Sequence, residues 1–313
     1  MFREISKKEE IQWQKKQIRR TYNRLGLGML AYLLIYQFLS LPLMLLVKLL
    51  CPQLLSSSWF GLLLGELVQY AIALPVCWWI AKSANTPQRP LSRRKLSVSC
   101  FFKYLLLSIG LLFLFNLIGT AVNELLSQLK GSPAGNLVEQ SVGSYTLWQM
   151  VLVTVISAPL GEELLFRKLV YRCVGAYGDK AYVFTSACLF MLMHGNVVQY
   201  PYAFALGGLF AWIYCKTGSL RNTILLHACV NFIGGVIPYL AGESELVLSL
   251  LGMLYLLGAA YVGYTLWRCR GRHPLQNDPK LPEGALDAAL LNVGMLLFTA
   301  ASFAMAGYVI LYL

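Results

Sequence analysis

Charge is scarce in this chain. Asp, Glu, Lys and Arg make up 13% of its 313 residues, while 58% are apolar. A soluble domain carries about 25% charged residues, so an ordinary water-soluble fold is excluded. Aspartate is scarcer still: Asp179, Asp278 and Asp287 are all there are, each in a loop or at the end of an apolar run. A paired-aspartate hydrolytic site inside the apolar runs is thereby excluded. No His-Glu-x-x-His occurs, which removes the zincin arrangement, and no convincing Gly-x-Ser-x-Gly turn supports a serine–histidine dyad. The eight cysteines form no Cys-x-x-Cys pair and no disulfide-type spacing; they read as small buried apolar residues. Internal repeats and inverted hydropathy symmetry, common in transporters, are lacking. So are low-complexity segments and any detached soluble domain. No Ala-x-Ala cleavage site follows the first apolar run, which reads as an uncleaved span.

What is present is length of apolar sequence. Mean hydropathy is +0.60, and apolar runs of about 20 residues recur, enough to cross a hydrocarbon core of roughly 30 Å. The expected fold is all-α, a polytopic transmembrane helical bundle of about nine spans. Their approximate positions are 25–50, 58–81, 101–123, 146–170, 181–199, 201–216, 221–241, 245–267 and 285–312. Residues 1–24 form a basic head with eight Lys/Arg. Residues 25–130 then read as N-terminal transmembrane helices, 146–241 as a core of four, and 245–313 as C-terminal ones.

The net charge of +12 would suggest nucleic acid in a soluble chain, but no aromatic–basic interleaving accompanies it and no nucleic-acid partner is expected. The basic residues sit between the apolar runs. Lys82, Arg89, Arg93, Arg94 and Lys95 mark one connection; Arg167, Lys168, Arg172 and Lys180 another; Lys216 and Arg221 a third. The last holds Arg268, Arg270, Arg272 and Lys280. Neutral or acidic loops, including the stretch Glu124 to Glu139, alternate with these. By the positive-inside rule the N-terminus is cytoplasmic and the C-terminus outside, in an integral plasma-membrane protein with the lipid bilayer as its surroundings.

Three polar constellations interrupt the apolar runs. A charged group near the bilayer centre costs roughly 2.5–3.5 kcal/mol on insertion scales, so such groups mark function by default. The first is Ala158-Pro159-Leu160-Gly161-Glu162-Glu163-Leu164-Leu165-Phe166-Arg167. Pro159 and Gly161 weaken the helical ladder beside the carboxylates. Adjacent glutamates point about 100° apart on a helix, so Glu162 and Glu163 should have different jobs. Glu163 and Arg167 stand at i,i+4 and can pair; one glutamate could then be poised as a general base. A helix-end ion pair near the interface explains the same residues. The second constellation is Phe190 to His194, and a lone histidine there is otherwise a satisfied core residue. The third is His227 to Asn231, again i,i+4 on one face, where an interhelical hydrogen bond would also account for Asn231. Carboxylates and imidazoles together bind divalent metals or activate water.

Glu-Glu-x-x-x-Arg, Phe-x-x-x-His and His-x-x-x-Asn, in that order on separate helices, resemble the CAAX prenyl protease and bacteriocin-processing family of intramembrane proteases (the Abi or CPBP family). The likeness extends to Ala158-Pro159, Phe204, Gly207, Gly208 and Thr217-Gly218-Ser219-Leu220, covering about Thr146 to Pro238. Lys168 departs from it, since the family often has glycine after the arginine. The resemblance implies an endopeptidase acting on membrane-associated peptide or protein substrates. Glu162 would activate water, and Glu163 would assist or pair with Arg167. His194 and His227 would hold water or, with Glu162, a divalent metal such as Zn2+. Asn231 would complete the site or stabilise the oxyanion. A metal-free glutamate mechanism fits the same residues. Two other classes remain: a non-catalytic membrane immunity or binding protein on this scaffold, and a transporter using Glu66 and the histidines as a proton path.

Overall fold

The computed structural model describes residues 7–84, 89–91, 94–136, 144–270 and 279–312. Among the loop residues read above, Arg93, Glu139, Arg272 and Asp278 lie outside that set, as do residues 1–6 of the basic head. The protein is all-α, and no strand occurs among the described residues. The helices are α1 (Lys7–Leu50), α2 (Ser58–Lys82), α3 (Val98–Lys130), α4 (Leu147–Tyr177) and α5 (Asp179–Met193), then α6 (Tyr200–Thr217), α7 (Leu220–Ala241), α8 (Glu245–Arg268), α9 (Ala285–Leu290) and α10 (Val293–Tyr312).

Seven of these, α1 to α4, α7, α8 and α10, are long and apolar enough to cross a membrane, so the protein is a multi-pass membrane protein. The other two of the nine expected spans correspond to α5 and α6. With 15 residues, α5 rises about 22 Å, less than a hydrocarbon core. The expected span at 285–312 is two helices, α9 and α10. Asn292 makes the break by accepting the Met295 N–H on Oδ1 at 3.1 Å, as an N-cap does. The head and the first span run together, because α1 is helical from Lys7 and changes direction only at Leu39.

Two compact units divide the chain. The first gathers residues 1–89, 169–182 and 277–301. Here α1 packs along α2, and Gln69 donates to the Tyr32 hydroxyl at 3.0 Å. Thr21 and Tyr177 share a hydrogen bond of 2.9 Å, and the Arg89–Asp179 ion pair of 2.9 Å fastens the start of α5. The second unit gathers residues 90–168, 183–276 and 302–313 and contains all six candidate site residues. Its centre is the buried cluster Leu206, Phe210 and Ile213 of α6 with Leu226 and Val230 of α7, flanked by Phe101, Tyr104 and Leu105 of α3.

Four stretches widen from α- to π-helical geometry: 67–73 in α2, 151–157 and 163–169 in α4, and 232–236 in α7. Three of them run directly into a short α segment that opens with a proline in its first two positions, namely Pro75, Pro159 and Pro238. Proline lacks an N–H and its ring crowds the carbonyl one turn back, and one extra residue per turn relieves both. The fourth stretch has no proline in or after it. It begins at Glu163 and contains Arg167.

Candidate active site

Glu163 and Arg167 form a fork-to-fork pair. Nε donates to Oε2 and Nη2 to Oε1, each at 2.9 Å, with neither side chain exposed. A bidentate geometry of this kind is the strongest available to a buried carboxylate–guanidinium pair. The third arm of Arg167, Nη1, donates to Ser186 Oγ at 2.9 Å, and Ser186 in turn donates to the Phe166 carbonyl at 2.8 Å. Phe190 and Phe210 lie 4.8 and 5.7 Å from the guanidinium carbon. Gly207 lets Phe190 approach: a Cβ there would sit 3.1 Å from the Phe190 ring.

Glu163 also carries His227. Its Oε1 lies 3.0 Å from His227 Nδ1. A carboxylate flanked by an arginine only accepts, so Nδ1 donates in this bond. The ring's Nε2 faces Glu162, with Oε2 at 3.8 Å. His194 is locked the same way. It follows the last residue of α5, in a turn opened by Gly195 at φ +55°, and its Nδ1 lies 2.6 Å from the Phe190 carbonyl. A carbonyl can only accept, so Nδ1 donates here as well. The Phe190 ring stands edge-on to both imidazoles, at 4.7 Å from His194 and 5.8 Å from His227. Glu162 and His227 both lie within electrostatic range of His194.

The two glutamates thus differ. Both Glu163 oxygens are engaged and buried, which suits it to orient rather than to react. Glu162 keeps about a fifth of its side chain exposed, 21%, and has neither oxygen locked in such a fork. Asn231 does not point to the histidine it follows: its Nδ2 donates to the Thr154 carbonyl at 2.8 Å. The reason lies in the π stretch before Pro159. Ala158 N–H already bonds Val153 O, five residues back. In that register residue 159 would serve Thr154, but proline has no N–H to give. A carbonyl left over in an apolar helix needs a donor, and Asn231 supplies it.

Ser186, Thr154 and Phe210 belong to this site and escaped the motif reading. A serine in an apolar helix one residue before Ala187 carries no signal by itself. Phe204, part of the resemblance, instead packs edge-on against Phe184 with a third of its surface open. Glu162, His194 and His227 supply donor atoms suited to zinc, but among the described residues no three His, Cys, Asp or Glu groups stand close enough to share an ion.

The class is defined at this point: a helical membrane protein with a carboxylate, two imidazoles and an arginine gathered in one unit. Residues 144–233 match the family described as Type II CAAX prenyl endopeptidase Rce1-like, and that segment carries the family's resemblance. The chain is also similar to UPF0177 protein YxdF of Lactococcus lactis subsp. lactis (strain IL1403), 35% identical over 83 residues. That alignment takes in 26% of this chain and 45% of the relative, so the chain spans under half the length of that protein. No solved structure matches.

Proposed function

We propose that the protein is an intramembrane endopeptidase that hydrolyses a peptide bond in membrane-associated peptides or proteins, of CAAX type or in peptide maturation and immunity. The reading rests on one observation above the rest: His227 is held through Nδ1 by a carboxylate already paired with Arg167, and turns its Nε2 to a second, partly exposed carboxylate. That is the orientation logic of an acid–base pair with a dedicated positioning group. Glu162 takes one of water's two protons while an Nε2 of His227 or His194 holds that water by accepting its other hydrogen. Water's oxygen then adds to the carbonyl carbon, and Glu162 returns the proton to the leaving amine. Asn231, tied to Thr154, holds α7 against α4 and completes the wall beside His227.

A divalent metal, zinc above all, would need Glu162, His194 and His227 to draw closer together than they stand, and chelation followed by zinc repletion decides between the two chemistries. The proposed location is the plasma membrane, with the N-terminus cytoplasmic; the basic loops support the orientation. The activity test uses the purified full chain in liposomes with a prenylated, internally quenched peptide of CAAX type, and compares membrane and secreted peptides between wild-type and Glu162→Gln cells. Cleavage by wild type and none by Glu162→Gln is the expected result. Equal peptide profiles and equal rates would leave the site as structural packing.

A further inference from the structure

The basic head of α1 carries much of its charge on one line. Lys16, Arg20 and Arg24 stand at successive i,i+4 positions and are all exposed, so they share one helix face. The opposite face packs into the first unit. Ile18, Thr21, Tyr22 and Leu25 are buried there. Tyr22 stacks on Tyr177, whose hydroxyl shares a hydrogen bond of 2.9 Å with Thr21. One turn on, Asn23 Oδ1 accepts the Gly294 N–H at 2.7 Å. These contacts fix the rotation of the helix and hold the three cations outward.

Like charges at i,i+4 destabilise a helix, and the arrangement occurs twice here, Lys16 with Arg20 and Arg20 with Arg24. No carboxylate among the described residues pairs with any of the three. The acids of this helix, Glu9 and Glu10, lie about 9 Å or more beyond Lys16 at helical rise. An anion set between the cations would turn both repulsions into attractions. In the other direction the same face changes character at one point. Steps of three and four residues from Arg24 lead to Leu27, Ala31, Leu34 and Phe38, none of them buried, with Leu34 43% and Phe38 60% exposed. One outward face of α1 is thus cationic over about 12 Å and then apolar over about 16 Å. An acidic peptide or a nucleic acid would match the cations but not their apolar continuation. A phospholipid with an anionic head matches both parts, because its phosphate and its acyl chain are joined in that order.

We propose that Lys16, Arg20 and Arg24 bind the phosphate group of an anionic phospholipid whose acyl chain lies against Leu27, Ala31, Leu34 and Phe38. Arginine and lysine both hold phosphate oxygens by charge-assisted hydrogen bonds, and their long stems let the charged ends reach along the helix to headgroup level. The lipid fastens the head of α1 at the membrane surface. This site is independent of the endopeptidase reading and stands or falls without it.

The test titrates the purified full chain in a neutral detergent and reads the Kd of the first ligand bound by native mass spectrometry. Three probes are used: phosphatidylglycerol, phosphatidylcholine of the same acyl chains, and inorganic phosphate. Each cation near an anionic headgroup is worth about five-fold in affinity, so phosphatidylglycerol should bind the wild type several-fold tighter than phosphatidylcholine. Arg20→Gln removes the cation common to both repelling pairs and should weaken phosphatidylglycerol about five-fold. Lys16→Gln/Arg20→Gln/Arg24→Gln should abolish its advantage over phosphatidylcholine. Lys95→Gln/Lys180→Gln/Arg221→Gln, which removes three exposed cations from other segments, should leave that advantage in place. The single variant keeps the test decisive if the triple one fails to fold. Equal Kd for the two lipids on the wild type, or an unchanged Kd in Arg20→Gln, overturns the assignment. Equal losses in the two triple variants overturn it as well, by tracing the preference to total charge. Displacement of phosphatidylglycerol by an equal concentration of inorganic phosphate would make this a site for the free anion and overturn the lipid as its occupant.

Discussion

Glu162 and Glu163 are neighbours with opposite fates, and substitutions should separate them. Glu162→Gln keeps size and hydrogen bonding but cannot take a proton, so cleavage should fall by about 10²–10⁴-fold with the melting temperature unchanged. Peptide cleavage and thermal unfolding of the purified protein measure the two effects. Glu163→Gln instead strips the counter-charge from a fully buried Arg167 and loosens the hold on His227. Breaking a buried pair by removing one partner costs about 3–5 kcal/mol, so this variant should lose both melting temperature and activity, and Arg167→Ala should do the same. A fully stable Glu163→Gln would show that the fork contributes little to the fold. At this scale much was legible in the residues themselves: the 100° turn between adjacent positions told the glutamates apart, and the i,i+4 spacing named Arg167 as partner of Glu163. Ser186 was not legible, because its partner is 19 residues away and only the packing of α5 on α4 brings them together.

At the scale of the element, the proline in the first motif acts at a distance of one residue more than a helical turn. Pro159 orphans the Thr154 carbonyl and Asn231 satisfies it, so the first and third constellations are coupled through a backbone group. Pro159→Ala would restore an N–H that competes with Asn231 for that carbonyl. We expect α4 to tighten, cleavage to decline and the melting temperature to hold or rise. Asn231→Leu should be the more damaging of the two, since it leaves the carbonyl without a donor at about 1–3 kcal/mol. Equal activity in wild type and Pro159→Ala would dissolve the coupling. The sequence showed that Pro159 weakens the ladder; that the helix widens rather than kinks was beyond it, because α- and π-geometry differ in which carbonyl each N–H selects and not in composition. The same holds for α5, where apolar residues continue past Met193 but the left-handed Gly195 ends the helix and leaves His194 in the turn.

For the whole molecule, the alternation of basic loops makes topology the direct test. Reporter fusions at Ser57 and Gly131 should report the external side. Fusions at Asn85 and Asn277 should report the cytoplasm and one at Leu313 the exterior; these three positions lie outside the described residues. A cytoplasmic C-terminus would end the nine-span arrangement, since it requires an even number of spans. Chelation of the protein in liposomes should leave cleavage intact if Glu162 and the two Nε2 atoms hold only water, and should abolish it, with recovery on adding zinc, if they share an ion. The sequence alone determined the class and the ingredients. Apolar length sets helices in lipid, because a backbone there must satisfy its own hydrogen bonds, and charge is costly enough in that setting to make each polar motif conspicuous. Only the tertiary structure decided which atoms of those motifs face one another: Nδ1 of His227 on Glu163 with Nε2 toward Glu162, Ser186 on Arg167, Asn231 on Thr154. Those are contacts between residues 19 to 77 positions apart; helical periodicity fixes a side chain's face on its own helix, whereas its partner depends on how helices cross and where each one stops.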